Sequence, residues 1–235
     1  MSSVSPSLVN ENARTPKRVF PPLYKSRGDA SVDRLAFFHV LERLKTQKRT
    51  GWIDHNIPNP ESISDHMYRM AILALCASDP DLDTNKCVLM CLVHDLAEAQ
   101  VGDITPREGI SKADKQKLET EAMDNFVHEM LHSSPAALRI HALWKEYEDG
   151  ETKEARFVKG ELLAEEKMIY FSSRVDLDRF EMATQAIEYE SAHGAALQPF
   201  FDSSIPKIQH PEVKSWGNDL MNERRIATDR NDEHS

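Results

Sequence analysis

The stretch LMCLVHDLAEAQVGDITP, residues 89–106, opens as an apolar helix and leaves as a polar loop. A helix this apolar is expected to be buried, yet it carries His94 and Asp95 near its end. On a straight helix two consecutive side chains diverge by about 100°. Both reach one cation only if it sits in a groove against the helix and takes further ligands from elsewhere. Glu98 lies four residues beyond His94 and shares its face. Asp103 follows Gly102, where the chain can turn back toward the same groove. Gathering this many acids in one buried region is costly unless a cation or protons compensate. A histidine-aspartate dipeptide alone is common and means little; these surroundings give it weight.

Working outward, apolar residues recur at helical spacing. Residues 31–48 place Val32, Leu35, Phe38, Leu41 and Leu44 on one stripe, and residues 62–78 carry Ile63, His66, Met70, Leu73 and Ala77 along one face. Asp83 or Thr84 can cap a helix running to about residue 100. Further helices are predicted at 111–131, 135–147, 152–171, 174–194 and 210–226. IDHNIPNPES and VGDITPREG read as loops. With only 8 glycines in 235 residues, the pattern predicts an all-α domain over 29–226. The polar segments 1–28 and 227–235 read as disordered tails.

A net charge of -10 lacks the basic footprint of a nucleic-acid binder, so no nucleic-acid partner is expected. A nucleotide enzyme stays compatible with it, because a metal and a few local cations can supply the positive field. Cys76, Cys87 and Cys91 sit in apolar helical stretches and read as buried, reduced thiols. No apolar run reaches membrane-spanning length, and the N-terminus lacks a signal-peptide stretch. These features predict no membrane partner and a cytoplasmic location, extending to the nucleus.

Four blocks stand in order along the chain: RLKTQKRTGW at 43–52, SDHMYRMA at 64–71, HDLAEAQVGDITP at 94–106 and DLDRFEMATQAIEYE at 176–190. In these blocks the chain resembles the HD-domain metal-dependent phosphohydrolases, in the branch of 5'-deoxynucleotidases, over roughly residues 31–195. The resemblance implies an HD-type helical bundle with a metal site in its central groove. It also implies His66, His94, Asp95 and Asp178 as ligands of a divalent cation. Two imidazoles and two carboxylates suit Mn, Co, Mg, Fe or Zn and leave room for water and a phosphate oxygen. Glu98 would orient or deprotonate the attacking water, or hold a ligand in place. Asp103 would protonate the leaving 5'-oxygen or help place the nucleophile. Arg49 would hold the substrate phosphate through its planar fork, and Trp52 would wall the nucleoside pocket or pack beneath it. The implied substrate is a deoxynucleoside 5'-monophosphate and the implied assembly a homodimer. The alternative is a nucleotide-binding regulatory module without turnover.

One departure stands out. Relatives pass from ARFVK almost directly into DLD, whereas here the sixteen residues 160–175 intervene ahead of Asp178. That atypical insertion makes Asp176 the nearest alternative ligand. Of the other histidines, His39, His128, His132, His141 and His193 read as non-functional, and His55, approaching the site, is the one to watch.

Overall fold

Side-chain caps set several of the helix starts in the computed structural model, which describes residues 18–159 and 176–232. Asp29 accepts the Ser31 and Val32 N–H groups to open α1 (Ala30–Val40). Ser62 and Asp65 form a reciprocal capping box at α4 (Ile63–Leu75). Asp83 caps α5 (Thr84–Cys91) through the Lys86 N–H, and Ser111 caps α7 (Lys112–Asn125) through the Asp114 N–H. Ser134 caps α8 (Pro135–Asp149), which Gly150 ends in the left-handed region at φ 65°. The remaining helices are α2 (Glu42–Thr46), α3 (Thr50–Asp54), α6 (Glu98–Val101), α9 (Lys153–Lys159), α10 (Asp176–His193), α11 (Gln198–Ser204) and α12 (Pro211–Asp232). Among the described residues there is no strand, and a lone bridge joins Lys48 to Ser62. The all-α expectation therefore holds.

Two apolar clusters share the interior. One includes Phe37, Leu44, Ile63, Met67, Leu96, Met123, Phe126 and Trp144. The other includes Met70, Cys87, Met90, Cys91, Phe157, Leu177, Phe180, Phe201 and Ile208. Two segments feed both. In α4, Ile63 and Met67 go to the first cluster and Met70 and Ala74 to the second, with His66 between them. From the end of α5 onward, Cys91 belongs to the second cluster and Leu96 to the first, with His94 and Asp95 between. Polar side chains at such a seam are held on both sides by close packing, which fixes their rotamers.

Several expectations need correction. In α1 the buried residues are Asp33, Phe37 and Val40, whereas Val32, Leu35 and Phe38 of the predicted stripe are 38%, 53% and 52% exposed. The helix breaks at Leu41, so one periodic stripe across 31–48 does not describe it. The predicted single helix from 84 to 100 is two helices separated by tight i→i+3 turns through residues 92–97. Helices α3 and α11 are additional, and α12 runs to Asp232, past the boundary expected at residue 226. Cys76 is exposed, unlike buried Cys87 and Cys91; all three are free thiols. The insertion 160–175 lies outside the described residues. On either side of it, Phe157 and Leu177 pack in the same core cluster.

Residues 18–28 are not a loose tail, because polar bonds pin them to the helices. Tyr24 and Asn125 exchange two hydrogen bonds, the Asn125 amide donating to the Tyr24 carbonyl at 2.7 Å and accepting the Tyr24 N–H at 3.2 Å. Asp33, fully buried on α1, accepts from the Tyr24 hydroxyl (2.6 Å), the Ser26 hydroxyl (2.6 Å) and the Arg27 N–H (2.9 Å), and pairs with His132 Nε2 (2.8 Å). Burial works against this carboxylate, but the four bonds outweigh it and hold its pKa below the usual range. A buried charge satisfied on all sides also explains why α1 turns its Asp33 face inward.

Candidate metal centre

Each imidazole at the seam is anchored through one nitrogen and leaves the other unpartnered. His94 Nδ1 lies 2.9 Å from the Cys91 carbonyl, so it carries the hydrogen and Nε2 keeps its lone pair. His66 Nδ1 sits 2.5 Å from Glu181 Oε2, a fully buried carboxylate on α10. Both Nε2 atoms are buried and make no hydrogen bond. Yet His94 Nε2 is 3.1 Å from Asp95 Oδ2, and His66 Nε2 is 3.3 Å from Asp178 Oδ1 and 3.9 Å from Asp95 Oδ2. One nitrogen of His66, one of His94 and one oxygen of Asp95 all fall within 4.8 Å of one another. A buried polar atom without a partner costs about 1–3 kcal/mol. Two such nitrogens beside two carboxylate oxygens fit a divalent cation in donor type and in arrangement.

The local electrostatics favour positive charge here. Burial and the Arg49 charge push His66 down, but Glu181 and Asp178 outweigh them and hold its pKa at about 10. Burial would raise Asp178, but the His66 ring beside it and the charges of His66, Arg49 and His94 bring it down to about 2. Asp95 is likewise held low, with His94, Arg49 and His66 overcoming its burial. Asp178 therefore faces the histidines from α10. Asp176, the alternative suggested by the insertion, instead accepts the Gln209 and His210 N–H groups at 3.0 and 2.8 Å and so fixes the entry to α12.

Arg49 closes one side of this group. Its Nη1 donates to Asp95 Oδ2 at 3.3 Å, and Nη2 is 3.7 Å from Asp178 Oδ1. The backbone aims it there: the Arg49 N–H donates to the Glu61 carbonyl at 3.2 Å, beside the Lys48–Ser62 bridge. Asp103 Oδ2 accepts the Thr50 N–H at 2.7 Å, next to Arg49 in the chain. Glu98 is 3% exposed and its Oε2 has no partner. Burial, then the charges of Asp95 and Asp103, push its pKa well above the usual carboxylate value. Trp52 is 2% exposed, stacked on Phe200 at 4.3 Å, with its indole N–H donating to Glu61 at 2.8 Å. It lies within the core and offers no open face. His55 pairs with the Gly51 carbonyl at 2.8 Å and meets Phe200 edge-on.

Sequence reasoning missed Glu181, although it stands three residues beyond Asp178 and so on the same face of α10. It also missed Lys115 and Glu119. Lys115 lies 3.5 Å from Glu119 and within electrostatic reach of Glu98, Asp95 and Asp103. Burial, opposed by Lys115, lifts Glu119 to about 7.

A helical frame with a candidate histidine-aspartate cation site at the seam of its core defines the class. The model of the HD domain matches residues 41–215, and the chain belongs to the HD-domain family. Among individual relatives, it is 42% identical over 197 residues to the 5'-deoxynucleotidase hdd1 of Schizosaccharomyces pombe, covering 83% of this chain and 91% of that one. It is 40% identical over 204 residues to the 5'-deoxynucleotidase HDDC2 of Dictyostelium discoideum, covering 81% and 98%. Of solved structures, the HD domain-containing protein YGK1 aligns with a TM-score of 0.57 at 30% identity, over 83% of this chain and 86% of that one.

Proposed function

We propose that the protein is a metal-dependent 5'-deoxynucleotidase, hydrolysing deoxynucleoside 5'-monophosphates to deoxynucleosides and phosphate. The observation that carries this reading is the pair of unpartnered Nε2 atoms beside Asp95 and Asp178, with the Arg49 guanidinium against the same carboxylates. Relatives named 5'-deoxynucleotidase at 42% and 40% identity support the substrate class. His66, His94, Asp95 and Asp178 would hold the ion, which when bound supplies a low-pKa water and neutralises phosphate charge.

The chain's own residues do the rest. Arg49 binds two non-bridging oxygens of the phosphate. Glu98, buried with one oxygen unpartnered and within the field of Asp95, takes the proton of the attacking water. The water oxygen bonds to phosphorus as the bond to the 5'-oxygen breaks. Asp103, held through one oxygen by the Thr50 amide, keeps the other for delivering a proton to that leaving oxygen. Trp52, buried against Phe200 and Tyr189, stiffens α3. The test is phosphate release from ribo- and deoxynucleoside monophosphates, after exhaustive chelation and again with Mn²⁺ or Co²⁺ restored. Hydrolysis of the deoxy substrates that needs the added ion is expected. Undiminished turnover after chelation would sink the reading, and tight nucleotide binding without turnover would favour the regulatory module.

The assembly is proposed to be a homodimer. An open apolar groove of about 380 Å³ is lined by Phe37, Leu41, Met67, Tyr68, Leu92 and Leu96. Tyr68 and Leu92 are 65% and 45% exposed, and clustered exposed apolar side chains of this kind mark association surfaces. Sedimentation should give twice the chain mass, reduced to the monomer by Tyr68→Glu; a monomeric wild type at micromolar concentration would overturn it. Among the described residues no helix is long and apolar enough to cross a membrane. The proposed location is cytoplasmic and nuclear, supported by three free thiols, and subcellular fractionation would show it.

A further inference from the structure

Arg18 precedes the first helix by a dozen residues, yet its guanidinium sits behind the turn that carries Asp103. Its Nε and Nη2 fork onto Glu108, at 2.6 Å to Oε2 and 2.7 Å to Oε1. Nη1 donates to the Val101 carbonyl at 3.0 Å and Nη2 to the Asp103 carbonyl at 2.7 Å. One planar cation thus gathers three acceptor groups from both ends of the loop joining α6 to the turn at Pro106–Glu108. Glu108 is itself engaged locally, accepting the Thr105 N–H at 3.0 Å.

The backbone is shaped to admit this cation. Gly102 has φ 74° and ψ 166°, a conformation that side chains other than glycine's rarely adopt. A Cβ added there would run into Arg18 Nη1. The glycine is therefore needed twice, for its backbone angle and for the closeness of the guanidinium. On the far side of the turn, the Asp103 carbonyl also accepts the Thr50 hydroxyl at 2.8 Å, and the Asp103 carboxylate accepts the Thr50 N–H at 2.7 Å. A continuous chain of bonds then runs from Arg18 through Asp103 to the N-terminus of α3, where Arg49 stands. A neighbouring anchor reinforces it, the Gln100 amide donating to the Pro21 carbonyl at 2.7 Å.

We propose that Arg18 is a positioning residue of the active site: it clamps the turn at Gly102 from behind and thereby fixes Asp103 and the Arg49–Thr50 junction. This rests on the proposed phosphatase reading, in which Asp103 and Arg49 act on the substrate. None of the residues proposed to hold the cation belongs to the clamp. Loss of Arg18 should therefore separate turnover from metal binding. It should also be insensitive to charge alone, since a lysine cannot reproduce the fork onto Glu108 together with two carbonyls.

The test compares Arg18→Ala and Arg18→Lys in the full chain. Both should lower kcat about 10- to 100-fold, the range for residues that orient a catalytic group from behind. Mn²⁺ affinity by calorimetry should stay within about threefold of the wild type in both variants. Added guanidinium ion should restore part of the activity of Arg18→Ala but not of Arg18→Lys, whose side chain still fills the space. Amide exchange at Thr50 and at residues 101–105 should speed up in both. Turnover within about twofold of wild type, full activity from lysine, or Mn²⁺ affinity lost in step with kcat would each overturn the clamp. If the wild type itself hydrolyses no nucleotide, the phosphatase reading falls. The exchange rates then still decide whether Arg18 holds the turn.

Discussion

His94→Ala is expected to lower phosphate release by roughly 1,000-fold or more, equivalent to about 4 kcal/mol of lost transition-state stabilisation. The size of the effect follows from what His94 alone supplies. Its Nδ1 is committed to the Cys91 carbonyl and its Nε2 has no other partner, so removing the ring deletes a nitrogen donor that nothing nearby can replace. Asp95 Oδ2 would also lose a neighbour 3.1 Å away and be drawn further toward Arg49. The variant should bind Mn²⁺ far more weakly by calorimetry while keeping its helical circular dichroism. The ring also packs 5.0 Å from Tyr147, so some loss of thermal stability accompanies the change. His94→Gln, which preserves much of the bulk, should recover stability without recovering turnover. Activity within about tenfold of wild type in His94→Ala at saturating Mn²⁺ would remove His94 from the site.

How far the chain could be read in advance depends on the distance between partners. That His66, His94, Asp95 and Asp178 would come together was legible because each sits in a compact block whose order carries information. Arg49 was legible for the same reason. Glu181 was not singled out, since its bond to His66 spans 115 residues and no spacing rule encodes it. Arg18 was hidden behind the polar composition of its segment, which looks like a tail until Glu108 and the carbonyls around Gly102 are seen to accept from it. The first helix was turned the wrong way for a related reason. Counting apolar residues favoured Leu35 and Phe38, but the inward face is chosen by Asp33 and its four polar partners, three in the segment before the helix and one, His132, 99 residues away. Trp52 was open between walling a pocket and packing beneath it, and its burial against Phe200 and Glu61 favours the packed alternative. Periodicity finds elements; long-range polar pairing decides which side of them faces in.

Glu98→Gln should separate two properties that the wild-type residue combines. It should lower kcat by about 100- to 1,000-fold, because the amide keeps the shape but cannot accept a proton. Mn²⁺ affinity should change little, since Glu98 is outside the proposed ligand set. At the same time the metal-free variant should be the more stable protein at alkaline pH. Glu98 is 3% exposed and lies among the charges of Asp95 and Asp103, which with burial raise its pKa well above 4.5. A carboxyl whose folded pKa exceeds its unfolded value holds its proton longer in the folded state. Folding stability then falls as pH rises from the unfolded value through the folded one. Glutamine has no such ionisation, so urea unfolding of the metal-free variant should show a shallower decline between pH 5 and pH 8 than wild type (roughly the window in which an ordinary carboxyl is already charged). Equal pH slopes in the two proteins would mean that Glu98 carries no ionisation penalty in the fold. A glutamate kept at the cost of stability, with one oxygen left unpartnered in the interior, is what a proton acceptor for catalysis requires and what a purely structural carboxylate does not.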